Sequence, residues 1–268
     1  MTGYGERLAA RVAERGALCV GIDPHRSVLD AWGQPDDVRG LEAVARGMVE
    51  AIGDQVAVLK PQSAFFEAYG SAGVAVLERT IAAGQAAGAL VIVDAKRGDI
   101  GSTMAAYARA YLDDASPLAG DAVTVSPYLG FGSLSPAFET AHATGRGVYV
   151  LARTSNPEGG EVQHATRGDG RSVAQGIVDD ARRLNETTGQ GAVGLVVGAT
   201  HADPGCDLSG FNGSILAPGI GAQGATMAGL AGTFGPATGL VLPSASRQVL
   251  LAGPDPTALR NAVMRLLG

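Results

Sequence analysis

The sequence predicts a (β/α)8 barrel forming a single domain over residues 1–268, on three observations. Eight short apolar runs recur at 18–23, 56–60, 90–96, 122–126, 147–153, 192–199, 214–217 and 239–243. Longer Ala-rich segments, including 41–52, 73–87, 102–113 and 172–186, repeat their apolar residues at helical spacing. Charged residues gather where the first three runs end. Eight βα units in 268 residues match the content of a barrel. A doubly wound open sheet gives the same local pattern and stays open as an alternative. The weakest unit is the sixth, because residues 200–212 (THADPGCDLSGFN) leave little room for a helix.

Bulk properties narrow the function. The chain is 46% hydrophobic and 17% charged, enough apolar content for a large core. A formal charge of −6 and a pI near 5.2 argue against a nucleic-acid-binding surface, which needs clustered Lys and Arg. Cys19 lies in an apolar run and Cys206 in a polar loop, so no disulfide framework or Cys-rich metal site is expected. No stretch approaches the roughly 18 apolar residues of a membrane span, and the N-terminus lacks a signal-peptide core. These features lead to the expectation of a soluble, cytoplasmic protein without membrane or nucleic-acid partners.

In a barrel the active site forms from loops at the C-terminal ends of the strands. The first strand ends GID, with Asp23 before Pro24, and the second ends VLK, with Lys60 before Pro61. Each proline favours an extended conformation in its predecessor, as a strand terminus requires. The third run continues DAKRGDIGST, placing Asp94 and Lys96 two apart, so a regular pleat would aim both at one face. Buried charges at a strand mouth require pairing or a ligand. Asp99 adds a further acid before a helix expected to begin at Ser102 or Thr103. Two acids, Asp23 and Asp94, and two lysines, Lys60 and Lys96, then form an alternating charge network at adjacent strand ends.

The loop after the fifth run, RTSNPEGGEVQHATRGDGRS, has the length of a lid or binding loop. Ser155 and Asn156 could there read the edge of a polar ring. His164 reads as a solvated loop residue, and His25, His142 and His201 as isolated. After the seventh run, APGIGAQG contains a literal GxGxxG, but no Asp or Glu occurs between Asp207 and Asp255 to hold a dinucleotide ribose. The same interval carries one formal charge, Arg247. Amides of the Gly-rich turn, the Gln223 side chain and the Arg247 guanidinium suit a phosphate monoester, which barrels commonly bind in the loops after strands seven and eight.

VGIDPH, VLKPQSAFFE, DAKRGDIGST, RTSNP, APGIGAQG and SASR together resemble the orotidine 5′-monophosphate decarboxylase family over nearly the whole chain. DPH and KPQSAFFE are most similar to its longer bacterial (type 2) branch. The resemblance implies conversion of orotidine 5′-monophosphate to uridine 5′-monophosphate and CO2 in de novo pyrimidine synthesis. It also implies no metal or organic cofactor, and a homodimer with shared active sites. By the same resemblance Asp23 would bond the ribose, Lys60 would bridge ribose and Asp94, and Lys96 would donate the proton. Asp99, Ile100 and Thr103 would enter the neighbouring subunit's site. Ser155 would contact the pyrimidine, in a region where Thr154 is the adjacent choice. Pro218 would line the base pocket, and Gln223 and Arg247 would hold the phosphate.

Loss of CO2 from C6 leaves a vinyl carbanion with no carbonyl positioned to delocalise it, so the site must stabilise it electrostatically. A fixed Lys96 ammonium can oppose the developing charge and then deliver a proton. Asp94 and Asp99 would keep it charged and oriented. Two other readings share parts of the pattern. A Mg2+-dependent sugar-phosphate lyase or synthase of the same superfamily has the DxKxxD spacing, and a catalytically inactive barrel could sense nucleotides.

Overall fold

Strands buried on both faces read as nearly continuous apolar runs, and all eight runs form strands. The computed structural model describes residues 2–189, 191–221 and 224–268. Helix α1 (Tyr4–Arg15) is followed by β1 (Cys19–Ile22), α2 (Arg26–Ala31), α3 (Val38–Ile52), β2 (Val58–Pro61), α4 (Ser63–Glu67) and α5 (Gly70–Ala86). Then come β3 (Leu90–Arg97), α6 (Gly101–Leu112), β4 (Ala122–Val125), α7 (Ser135–Thr144), β5 (Gly147–Arg153), α8 (Gly160–Gln163) and α9 (Val173–Thr188). The chain ends with β6 (Val193–Val197), β7 (Ile215–Pro218), α10 (Leu230–Phe234), β8 (Val241–Ala245), α11 (Arg247–Leu250) and α12 (Pro256–Leu267).

The strands are parallel and ordered β1 to β8, and β1 pairs with both β2 and β8, so Cys19 lies opposite Val58 on one side and Ser244 on the other. That closure settles the choice between barrel and open sheet. Side chains alternate across the wall. Cys19, Val58, Leu90, Ile92, Ala122, Val196, Leu216 and Leu242 fill the interior. Val20, Leu59, Val91, Val93, Val123, Val148 and Val150 pack outward against the helices.

Helix α1, to which the sequence reading assigned no element, closes the N-terminal end of the barrel. Its buried residues Tyr4 and Leu8 recur at helical spacing. Tyr4 OH lies 3.0 Å from Tyr149 OH, which is 2.8 Å from Ser214 Oγ. Arg7 pairs with Asp121, whose other oxygen accepts the Val91 amide at 2.9 Å. With this end plugged, the opposite mouth is left for a ligand.

Three expectations shift. Strand β8 begins two residues later than 239–243, because Gly235–Leu240 forms a 3-10 helix around Pro236. Helix α6 begins at Gly101, whose φ of 52° suits the turn out of β3. The third is in β3 itself: Lys96 has φ 47° and the pairing with β4 slips between Val93 and Arg97. The pleat is therefore broken at the residue where regular alternation was expected. The sixth unit, as expected, has no helix between β6 and β7; Asp203 and Asp207 instead accept amides two residues on, at 2.7 and 2.9 Å.

A Cβ added to Gly147 would lie 2.5 Å from Tyr4 Cδ1, inside the plug. Gly147→Ala should therefore destabilise the fold by about 1–3 kcal/mol, the usual cost of overpacking. Gly232→Ala, with nothing within 4 Å of the new methyl, should leave the melting temperature unchanged or slightly higher. Thermal unfolding of both variants measures the contrast.

Candidate active site

The ends of β1, β2, β3 and β4 bring five polar side chains around one carboxylate or beside it. Asp94 is 6% exposed, so its charge must be met within the protein. Its Oδ2 accepts from Lys60 Nζ at 2.9 Å and Gln62 Nε2 at 3.0 Å. Its Oδ1 accepts from Lys96 Nζ at 2.6 Å and Thr124 Oγ1 at 2.8 Å. Four donors on two oxygens occupy its lone-pair sites. Burial alone would raise the Asp94 pKa, but the Lys60 and Lys96 ammonium groups overcome it and hold the carboxyl well below the usual range. Burial would likewise lower Lys60, yet Asp94 and then Asp23 hold it above the ordinary lysine value.

Lys96 differs from Lys60 in access. The Lys60 and Asp94 side chains are each 8% exposed, whereas that of Lys96 is 44% exposed. One ammonium is thus locked beneath the site and the other can meet a ligand while still bound to Asp94. Lys96 is the one non-glycine with positive φ among the described residues. Such a conformation costs of order 1–3 kcal/mol and persists only when its surroundings enforce it. Here the Lys96 amide donates to Thr124 Oγ1 at 3.0 Å, and its ammonium is tied to Asp94. The next residue, Arg97, pairs with Glu67 of α4 and lies over the rings of Tyr107 and Tyr111 of α6, at 5.5 and 5.9 Å. The strand end is clamped on both sides of the strained residue.

Beside this array lies a cavity of about 330 Å³ lined by Asp23, His25, Lys60, Phe65, Pro218, Ser246 and Arg247, among others. Asp23 Oδ1 and Ser246 Oγ are buried with no hydrogen-bond partner among the described residues. Asp23, Lys60, Pro218 and Arg247 therefore share one cavity, as sequence reasoning required. His25, read there as isolated, is corrected: it lines the same cavity, lies 2.9 Å from Ser27 Oγ through Nδ1 and leans on Phe65. Three amides of the Gly-rich turn are engaged internally. The amides of Ile220, Gly221 and Gly224 bond to Ser244, Ala225 and Gly221 carbonyls, so they hold the turn's shape. Gln223 lies outside the described residues.

After β5, the Thr154 hydroxyl donates to Asn156 Oδ1 at 2.6 Å and accepts from Gln163 Nε2 of α8 at 2.8 Å. Ser155 has no hydrogen-bond partner among the described residues, leaving its hydroxyl available. His201 Nε2 lies 2.8 Å from the Thr154 carbonyl, so it too belongs to this loop's support. Asp99 is not joined to Lys96 within the chain. Its Oδ1 accepts the Ile100 amide at 2.8 Å, and Ile100 is 62% exposed, with Thr103 also on the surface. Thr124 and Gln62 had been missed; the signals were a lone hydroxyl in the fourth apolar run, AVTV, and an amide just after Lys60-Pro61.

Asp94 contributes stability above the unfolded carboxyl pKa of about 3.9, and this is lost as pH falls through its lower folded value. Lys60 contributes below the unfolded lysine value of about 10.4 and loses it as pH rises through its higher folded value. Asp94→Asn leaves Lys60 buried without its counter-charge and should cost about 3–5 kcal/mol. Chemical denaturation should find that gap widest between about pH 5 and 9 and narrowing below about pH 4.

The family model for orotidine 5′-phosphate decarboxylase / HUMPS matches residues 16–262. The orotidine 5′-phosphate decarboxylase of Salinispora tropica is 60% identical over 268 residues, covering 100% of this chain and 96% of that protein. A Streptomyces avermitilis crystal structure provisionally assigned to the same enzyme is 57% identical with a TM-score of 0.94, covering 100% of this chain and 94% of the other. The Leishmania donovani OMP decarboxylase structure is 30% identical with a TM-score of 0.78, covering 99% and 96%. The chain belongs to the orotidine 5′-phosphate decarboxylase family.

Proposed function

We propose that this protein decarboxylates orotidine 5′-monophosphate to uridine 5′-monophosphate and CO2, a step of pyrimidine biosynthesis. The observation that carries the reading is the Lys60–Asp94–Lys96 array, in which one buried carboxylate holds an accessible ammonium and an enclosed one, and the enclosed Lys60 lines the cavity. The C6–carboxylate bond breaks heterolytically, CO2 leaves and the electron pair stays on C6. The Lys96 ammonium faces that charge and transfers one proton to C6, leaving a neutral amine that solvent reprotonates. Because Lys96 Nζ is fixed by Asp94 before substrate arrives, little reorganisation is needed as the charge develops. In this reading Asp94 also crowds the substrate carboxylate and favours its departure.

The remaining assignments are those the family resemblance implies, and the shared cavity of Asp23, Lys60, Pro218 and Arg247 supports them. Asp23 and Lys60 serve the ribose, Arg247 with Gln223 the phosphate, Pro218 the base, and Ser155 the pyrimidine edge. Availability of the Ser155 hydroxyl, against engagement of that of Thr154, supports the choice between them. The residues present do the work without metal or organic cofactor in this reading. Two protomers share sites, with Asp99, Ile100 and Thr103 reaching into the partner. Exposure of Ile100, Tyr128 and Leu129, at 62, 78 and 52%, supports an apolar contact there.

Loss of orotidine 5′-monophosphate absorbance measures the activity. Turnover should persist undiminished in EDTA; its disappearance would refute the metal-free reading. Lys96→Ala should reduce kcat by at least about 10³- to 10⁴-fold, having lost both proton donor and counter-charge. For the shared site, mixing inactive Lys96→Ala and Asp99→Ala proteins should restore partial activity, since a mixed dimer regains one intact site. Failure of mixing, with subunit exchange shown independently, would remove Asp99 from the partner's site.

A further inference from the structure

We infer that Ser246 is a substrate-positioning residue, its hydroxyl donating to a phosphoryl oxygen of the 5′-phosphate; this rests on the decarboxylase reading above. Ser246 follows β8 and precedes Arg247, and it lines the cavity with Asp23, Lys60 and Arg247. Its Oγ is buried and has no partner among the described residues. A buried hydroxyl without a partner costs the fold free energy, so its presence calls for a compensating role. The backbone at Gly21 locates it. A methyl built on Gly21 would lie 2.8 Å from Ser246 Cβ, 3.0 Å from its Oγ and 3.1 Å from Asp23 Oδ2. The hydroxyl and the ribose-binding acid therefore flank one point above β1, made passable by a glycine, and Arg247 continues the same edge of the cavity. A hydroxyl between an acid and a guanidinium can donate to a phosphoryl oxygen while the guanidinium neutralises the charge.

Physical chemistry separates this role from a structural one by sign. Ser246→Ala removes an unsatisfied buried hydroxyl, so the ligand-free protein should melt at the wild-type temperature or above it. Binding should move the other way. Calorimetric titration should give a Kd for uridine 5′-monophosphate about tenfold weaker, and kcat/KM for orotidine 5′-monophosphate should fall by a similar factor. The ratio of kcat/KM for the phosphorylated substrate to that for orotidine should drop about tenfold as well. A fall in melting temperature parallel to the loss of affinity would mark the hydroxyl as structural and overturn the inference. Equal losses on both substrates, or unchanged uridine 5′-monophosphate affinity, would overturn it too. Absence of turnover by the wild-type protein would instead strike the decarboxylase reading, so the two failures are distinct.

Discussion

The site is organised around the negative charge of Asp94. A carboxylate this deeply buried is tolerable only when its oxygens are filled, and the protein fills them with two ammonium groups, a hydroxyl and an amide drawn from three strand ends. The requirement runs outward from there. Lys60 must enter from β2 with Gln62 behind it, Thr124 must replace an apolar residue in β4, and the backbone of β3 must turn left-handed at Lys96 to bring its ammonium back. The strain at Lys96 is held by Thr124 on one side and by the Arg97 clamp to Glu67 and two tyrosines on the other.

This arrangement divides labour between two lysines of the same charge. Lys60 is enclosed, and its attraction to Asp94 and Asp23 keeps it protonated against burial. Lys96 is the exposed member, oriented by the same carboxylate. A lone lysine on a flexible stem would lose much of its field to solvent and to rotamer freedom. Anchored through Asp94, it presents a preorganised positive charge at the strand ends, where Lys60 and Arg247 line one cavity. In the proposed reaction, fixed charge near the reacting atom is combined with anion binding farther away, so that binding energy from a distant phosphate supports the chemistry.

The barrel supplies the rigidity on which such preorganisation depends. Eight paired strands leave no edge, the interior layers are apolar, and α1 plugs the far end through the Tyr4–Tyr149–Ser214 chain. Loop structure is used at the open end. Thr154, Gln163, Arg153 and His201 bind the long segment after β5 to the strand it leaves.

Much of this was legible in the chain. Apolar runs of strand length separated by amphipathic segments determine the alternation of β and α, and their number points to a barrel, because burial on both faces leaves a strong periodic signal. Asp23, Lys60, Asp94 and Lys96 were identifiable because charged residues at the ends of apolar strands are rare without a purpose, and the wording of DAKRGDIGST fixed the family resemblance. What depends on contacts between distant segments was not legible. Thr124 and Gln62 look ordinary until folding places them 2.8 and 3.0 Å from Asp94, and His25 and Ser246 look isolated until β1 and β8 meet to close the barrel. The sequence determined which residues carry charge and where strands end, since those are local properties of composition and spacing. Which lysine is buried, which hydroxyl lacks a partner among the described residues and where the pleat breaks emerge on folding, because solvent exposure and pairing are properties of the closed barrel as a whole.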